Sequence, residues 1–415
     1  MTMVDPAIDF GDPAFWRRSR KERDSAFRTL RGSESLRYTV DRSFFAGEAP
    51  EPIGYWSLVD YDDVWMASRN PLVFASGSGT NITDDPPEVA ELFGSIVNMD
   101  DPRHFRMRSI VSRAFTPRHL ERVKATVRSR AAALVDQAAN ELADGSIDFV
   151  EAIAAPLPLG VICEMMGIPA ADEAFILRWT NTILGAGDPE FGAGIDDFMA
   201  CALAMFDYAQ ALASELALRQ GEDLTSVIMA TEVDGERLSA AEFGAFFILL
   251  VVAGNETTRN ALSHGLLALT DHPEQRRIWF DEFDTVSKTA VEEIVRWATP
   301  VIHFRRTVTE DIIVRDTHLH PGDKVVLWYC SANRDEAVWK DAHRFDVRRP
   351  AQPMHLGFGG GGPHFCLGAN LARHEIACVF DEIRRRIPNL SVAHSPDWLE
   401  SNFINGIKRL PCHLD

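Results

Sequence analysis

Over residues 118–143, 198–220 and 371–387, apolar positions recur three and four apart, which predicts amphipathic helices with one face on a core. Residues 243–254 are apolar all round instead. That marks a helix buried on every side, and the run is too short to cross a bilayer. Ser239-Ala-Ala-Glu242 is a capping box that opens this helix. Thr289-Ala-Val-Glu292 is read as a second, opening a helix that carries Glu293 and Arg296. Asp101-Pro102 predicts another helix start, because aspartate accepts from free N–H groups and proline suits the first turn. An acidic cap at Asp62-Asp63 predicts a short helix over 62–67. Strand patterns are few: 55–59, 312–314 and 325–328. The last two flank Pro321-Gly322-Asp323, a turn signal, and read as a sheet. Residues 77–87 are polar and loop-like. The expected class is mainly α with minor β.

Composition narrows this further. The 415 residues show no low-complexity linker, repeat or composition break, so one domain over 1–415 is expected, although the length would admit two or three. Acidic residues (61) outnumber basic ones (42), which argues against a nucleic-acid partner. Six cysteines (163, 201, 330, 366, 378 and 412) include no C-x-x-C, so neither a zinc knuckle nor a c-type haem attachment is signalled. The N-terminus has no apolar signal-like segment. The expectation is a soluble cytoplasmic protein with no membrane anchor.

Candidate chemistry centres on Cys366, in Phe358-Gly-Gly-Gly-Gly-Pro-His364-Phe365-Cys366-Leu367-Gly368. Glycines let the backbone approach a large flat ligand. A helix beginning near Ala369 would present its N-terminus to the sulfur and favour the thiolate. A lone thiolate in such a loop suits the axial ligand of a haem iron. The bland alternative is a buried structural cysteine. Gly357 to Gly362 also fits G-x-G-x-x-G, but no strand precedes it and no helix follows directly, so a dinucleotide site is rejected here. Ala253-Gly254-Asn255-Glu256-Thr257-Thr258 interrupts the apolar helix. A mid-helix threonine competes for backbone carbonyls and glycine weakens the turn, which can open a groove. An acid beside a hydroxyl can deliver protons to a reacting oxygen; the alternative is a solvated break in a surface helix. Haem propionates need cations or donors. His104 and Arg108, four apart, share a helix face, and Arg306 and His364 are further candidates. Taken singly, each is an ordinary surface cation.

These residues resemble the cytochrome P450 superfamily over almost the whole chain. The resemblance implies a prism-like, mostly helical fold with haem b between two long central helices. It implies Cys366 as the iron ligand, with Phe358 and Gly368 in its loop, Ala253 in the oxygen groove and Glu256 and Thr257 as the acid–alcohol pair. His104, Arg108, Arg306 and His364 match the propionate positions. Glu293-Ile-Val-Arg296 resembles the E-x-x-R pair behind the haem, with Arg349 as third partner and Arg348 and Arg344 as rivals. The implied reaction takes O2 as co-substrate, inserting one oxygen atom into a C–H bond of a hydrophobic substrate. Electrons would come from a separate ferredoxin and ferredoxin reductase, docking at Arg103, Arg106, Arg113 and Arg373, unless these arginines only balance surface charge. Several stretches are similar to actinobacterial enzymes that oxidise methyl-branched lipids and steroid side chains at a terminal methyl. That places Leu249, Val252, Ala253, Ile302, Phe403 and Ile404 in the pocket, where apolar residues also serve as plain core. A terpene, fatty acid or aromatic substrate, a peroxide-driven haem enzyme and a non-catalytic haem protein are the alternatives.

Overall fold

A 32-residue helix, Ala240–Asp271, runs through the helical part of the protein. The computed structural model describes residues 8–42, 54–84, 94–114, 117–143, 145–191, 194–217, 221–233 and 235–415. Ser239 starts the long helix with reciprocal bonds. Its hydroxyl accepts from the Glu242 N–H at 3.2 Å, and the Glu242 carboxylate accepts from the Ser239 N–H at 3.0 Å. Around it pack the helices Pro156–Met166, Ile195–Ala217, Phe283–Ala298 and Ala369–Arg386. Phe246, Phe247, Leu262, Leu266, Ile294 and Phe380 are buried between them. Each such side chain contributes ~1.5–3 kcal/mol by leaving water. Among the described residues this is the one helix long and apolar enough to cross a membrane. Here it is a core helix that also buries Asn255, Glu256, Arg259, Asn260 and His264.

A five-stranded sheet lies beside the helices, in the order Arg37–Val40, Gly54–Leu58, Lys324–Trp328, His303–Val308, Phe74–Ala75. Gly54–Leu58 and Lys324–Trp328 run parallel; the other pairs are antiparallel. The unbroken apolar run 325–328 reflects a strand covered on both faces. Val325 and Leu327 join Val64, Phe74 and Leu319 on one side, while Val326 and Trp328 join Phe10, Phe27 and Tyr55 on the other.

The helices foreseen at 118–143, 198–220 and 371–387 are Pro117–Ala143, Ile195–Ala217 and Ala369–Arg386. Residues 218–220 of the second, 85–87 of the expected loop and the side chain of Arg113 lie outside the described set. The helix expected over 62–67 is Tyr61–Arg69. Its start is held by a distant acid, since Asp335 accepts from the Tyr61 N–H at 2.9 Å. Two expectations are corrected. Thr289 does not open a helix; it sits in the middle of Phe283–Ala298 and donates to the Val286 and Val347 carbonyls. Glu292, its supposed partner, binds Arg373 and His355 instead. And 312–314 does not pair with 325–328. Arg315, at φ 54°, turns the chain straight back, so Ile312–Val314 pairs with Thr317–Leu319 in a separate hairpin.

Candidate functional site

The cysteine loop closes on itself through the Cys366 N–H, which donates to the Phe358 carbonyl at 3.0 Å. Its glycines are set by space and by backbone sign. Gly359, Gly361 and Gly362 have φ of 91°, 79° and 73°, and a Cβ on Gly360 or Gly362 would come within 2.5 or 2.4 Å of Ser68. No strand precedes the loop and the next helix begins only at Ala369, so the G-x-G-x-x-G coincidence has no dinucleotide context. Cys366 lies deep in the molecule, with its side chain open to an internal cavity. The depth pushes the thiol above its ordinary value, while the Gly368 amide, Arg108, Arg373 and the Ala369 amide pull the other way. The amides of Gly368 and Ala369 at the start of the next helix thus favour the thiolate, as expected from the sequence. In the protein alone burial outweighs them; a coordinated metal cation would reverse the balance.

That cavity measures about 1650 Å3. His104, Arg108, Arg306 and His364 meet on its wall. Arg108 donates to the Phe365 carbonyl at 2.6 Å, and the His104 and His364 rings lie 4.3 Å apart. Ser76 Oγ lies 3.2 Å from His364 Nε2. Arg306 is 4 % exposed, yet among the described residues its side chain hydrogen-bonds only to the neighbouring Arg305 carbonyl. Burial, with Arg306, His104 and Arg108 nearby, drives the His364 imidazole down to about 3. His104 Nε2 is buried with no hydrogen-bond partner among the described residues. Among the described residues the Arg108 and Arg306 guanidiniums have no carboxylate within ion-pair distance, and His104 meets Asp101 only through Nδ1, at 3.3 Å, which fits an acidic ligand. Gly368 lines the same space, and a Cβ there would meet no protein atom within 4 Å. These residues fit a haem: a sulfur, an unpartnered imidazole nitrogen, a buried and a half-buried guanidinium, and room at the loop.

The polar stretch of the long helix faces the cavity without breaking the helix. Thr257 Oγ1 donates to the Ala253 carbonyl at 2.7 Å. Gly254 is a contact point, since a Cβ there would fall 2.4 Å from Ile162. Glu256 is 2 % exposed; Asn260 donates to it at 2.9 Å and Arg259 Nη1 stands 3.0 Å from its other oxygen, too oblique to be a hydrogen bond. Leu249, Val252, Ala253, Phe403 and Ile404 line the cavity. Ile302 does not. It is buried just before the strand His303–Val308, among Phe10, Trp16 and Trp328, and Val301 and His303 reach the cavity in its place.

Glu293 anchors a buried network behind the loop. Arg296 donates to it twice, at 2.7 and 2.8 Å, and Arg349 Nε donates at 3.0 Å. Both arginines also gather carbonyls of 333–344, which fixes the approach to the cysteine loop. Arg348 turns outward to Glu282, and Arg344 enters through its carbonyl only. Sequence reasoning missed Glu375, on the cysteine helix and on the cavity wall. Thr258 donates to one of its oxygens at 3.2 Å, the other has no hydrogen-bond partner among the described residues, and burial raises the carboxyl to about 8.

The family model described as cytochrome P450 matches residues 205–386. The methyl-branched lipid omega-hydroxylase of Mycobacterium tuberculosis is 52% identical over 97% of this chain and 94% of its own. The steroid C26-monooxygenase of Mycolicibacterium smegmatis is 41% identical over 86% of this chain and 82% of its own. Among solved structures, a Mycobacterium marinum cytochrome P450 in complex with pseudoionone superposes with a TM-score of 0.92. It is 38% identical and covers 99% of this chain and 98% of that one.

Proposed function

The chain belongs to the cytochrome P450 family, and from that premise we propose a haem-thiolate monooxygenase that hydroxylates the terminal methyl of a methyl-branched lipid or a steroid side chain. The observation that carries the reading is Cys366, open to a cavity whose wall also holds the Arg108 and Arg306 guanidiniums and the unpartnered His104 Nε2. Cys366 would hold the iron of haem b. His104, Arg108, Arg306 and His364 would hold its propionates. Bound there, the haem supplies the oxygen and C–H chemistry, with O2 as co-substrate.

The chain's own part is to position, to exclude water and to move protons. Glu256, kept inside by Arg259 and Asn260, would feed a proton to the Thr257 hydroxyl, which hangs from the Ala253 carbonyl at the cavity edge. Phe246, Leu249, Val252, Ala253, Phe403 and Ile404 give the substrate an apolar wall. A terminal methyl is a harder C–H bond than its inner neighbours, so selectivity requires a pocket that admits only the chain end. The named relatives support that choice. Electrons would come from a separate ferredoxin and its reductase, in the cytoplasm. Three of the four arginines suggested for docking are already engaged: Arg103 and Arg106 converge on Glu242, and Arg373 is bidentate to Glu292.

Reduced, CO-bound protein should show the long-wavelength Soret band of a thiolate ligand, and Cys366→Ser should abolish it. Retention would move the ligand elsewhere. A spectral titration with a branched lipid, cholestenone and a terpene tests the substrate class. A tight low-to-high-spin shift with the terpene alone would replace the lipid and steroid reading.

A further inference from the structure

The hairpin Ile312–Val314 and Thr317–Leu319 has two unlike faces. Val314, Thr317 and Leu319 are buried, while Asp311, Ile313, His318 and His320 are exposed. Ile313 pairs with His318 and Ile312 with Leu319, so the next step of the register sets Asp311 across from His320. Alternation then puts all three polar side chains on one solvent face. His320 Nδ1 lies 2.7 Å from Asp311 Oδ1, and the two imidazole rings are 4.5 Å apart. Ligand atoms from all three residues lie within 4.8 Å of one another. His318 has no hydrogen-bond partner among the described residues.

We propose that Asp311, His318 and His320 form a binding site for one divalent transition-metal ion, separate from the cavity. Two imidazole nitrogens and one carboxylate oxygen suit Zn2+, Cu2+ or Ni2+ and disfavour Mg2+ and Ca2+, which want oxygen donors. Donors bound to zinc at ~2.0–2.2 Å stand no more than ~4.4 Å apart. Small side-chain rotations therefore close the set, and water completes the shell. The three ligands sit at the open end of the hairpin, opposite the turn at Arg315. From that end the chain continues into His303–Val308 and Lys324–Trp328, the strand pair that carries Arg306. A bound ion would staple the hairpin where it leaves the sheet.

The test is calorimetric titration of chelator-treated, haem-loaded enzyme with zinc chloride. One saturable equivalent is expected in the wild type. It should be lost in the double variant His318→Ala with His320→Ala, and weakened at least about tenfold in Asp311→Asn. It should persist in His394→Ala, which removes an exposed histidine outside the hairpin. An unchanged Soret band in each variant shows that the fold is intact. A wild type without a saturable equivalent overturns the proposal, as does a double variant that keeps it or a His394→Ala variant that loses it.

Discussion

Glu375 shows how far single residues could be read. It follows Arg373 and His374 on an amphipathic helix, where an acid looks like part of a solvated charged face. Only the fold turns it inward, to 2 % exposure, and sets it against Thr258. Cys366 was legible because the glycines around it have no cheaper explanation. Ile302 was misplaced because one step along the extended backbone leading into His303–Val308 reverses which side a residue faces. Burial lifts the Glu375 carboxyl from its ordinary 4.5 to about 8. Between those values the unfolded chain has lost a proton that the folded one keeps, so this group weakens the fold progressively as pH rises through that window. Glu375→Gln removes the titration. Its thermal midpoint relative to wild type should therefore climb between pH 5 and 8 and then level off; a constant offset would show that Glu375 does not ionise in that range. Thr257→Ala addresses the other hydroxyl. Electron consumption should continue while product per electron pair falls, by about 10²-fold or more if the hydroxyl carries the proton step. Unchanged coupling would remove Thr257 from that role.

Elements were legible where periodicity ran long and illegible where a short signature stood alone. The helix 240–271 announces itself by a capping box and an all-round apolar run. The same four-residue signature at Thr289 failed because both residues are occupied at long range, by Val347 and by Arg373 with His355. Long range also fixes part of the cavity wall. The segment after helix Glu173–Leu184 lines the cavity at Ala186 and Gly187, and 400–404 lines it from the other side. Asp188, 1 % exposed, ties the two: it accepts from the Glu400 N–H at 2.9 Å and from Lys408 Nζ at 3.1 Å. Glu190 adds Lys408 and Arg409. A charge-assisted hydrogen bond contributes about 1.5–3 kcal/mol. Lys408→Met should release the clasp and speed substrate entry and exit, each by about tenfold, the rate equivalent of ~1.4 kcal/mol. Stopped-flow spin-shift kinetics read this directly. Unaltered rates would mean that the segments part without breaking the Asp188 contacts.

At the scale of the whole molecule, composition foretold the charge and periodicity the mainly helical class, but neither foretold where charge is spent. No periodicity brings positions 104, 108, 306, 364 and 366 to one wall; that convergence comes from helices and sheet packing across hundreds of residues. The same holds for the surface. The chain carries a formal charge of −19. Arg103, Arg106 and Arg373, which a sequence reading offers to an acidic electron donor, are each paired with a carboxylate of the chain itself. With these three paired, the acidic formal charge favours net repulsion between this protein and an acidic ferredoxin. Salt screens repulsion as it screens attraction, with a Debye length that shrinks from about 30 Å at 0.01 M to about 8 Å at 0.15 M. Reduction by an acidic ferredoxin should accordingly become faster as ionic strength rises over that range, the reverse of a steered encounter. A rate that falls with salt would require the arginines to leave Glu242 and Glu292 for the partner, and double variants at those two glutamates would then accelerate electron transfer at low salt.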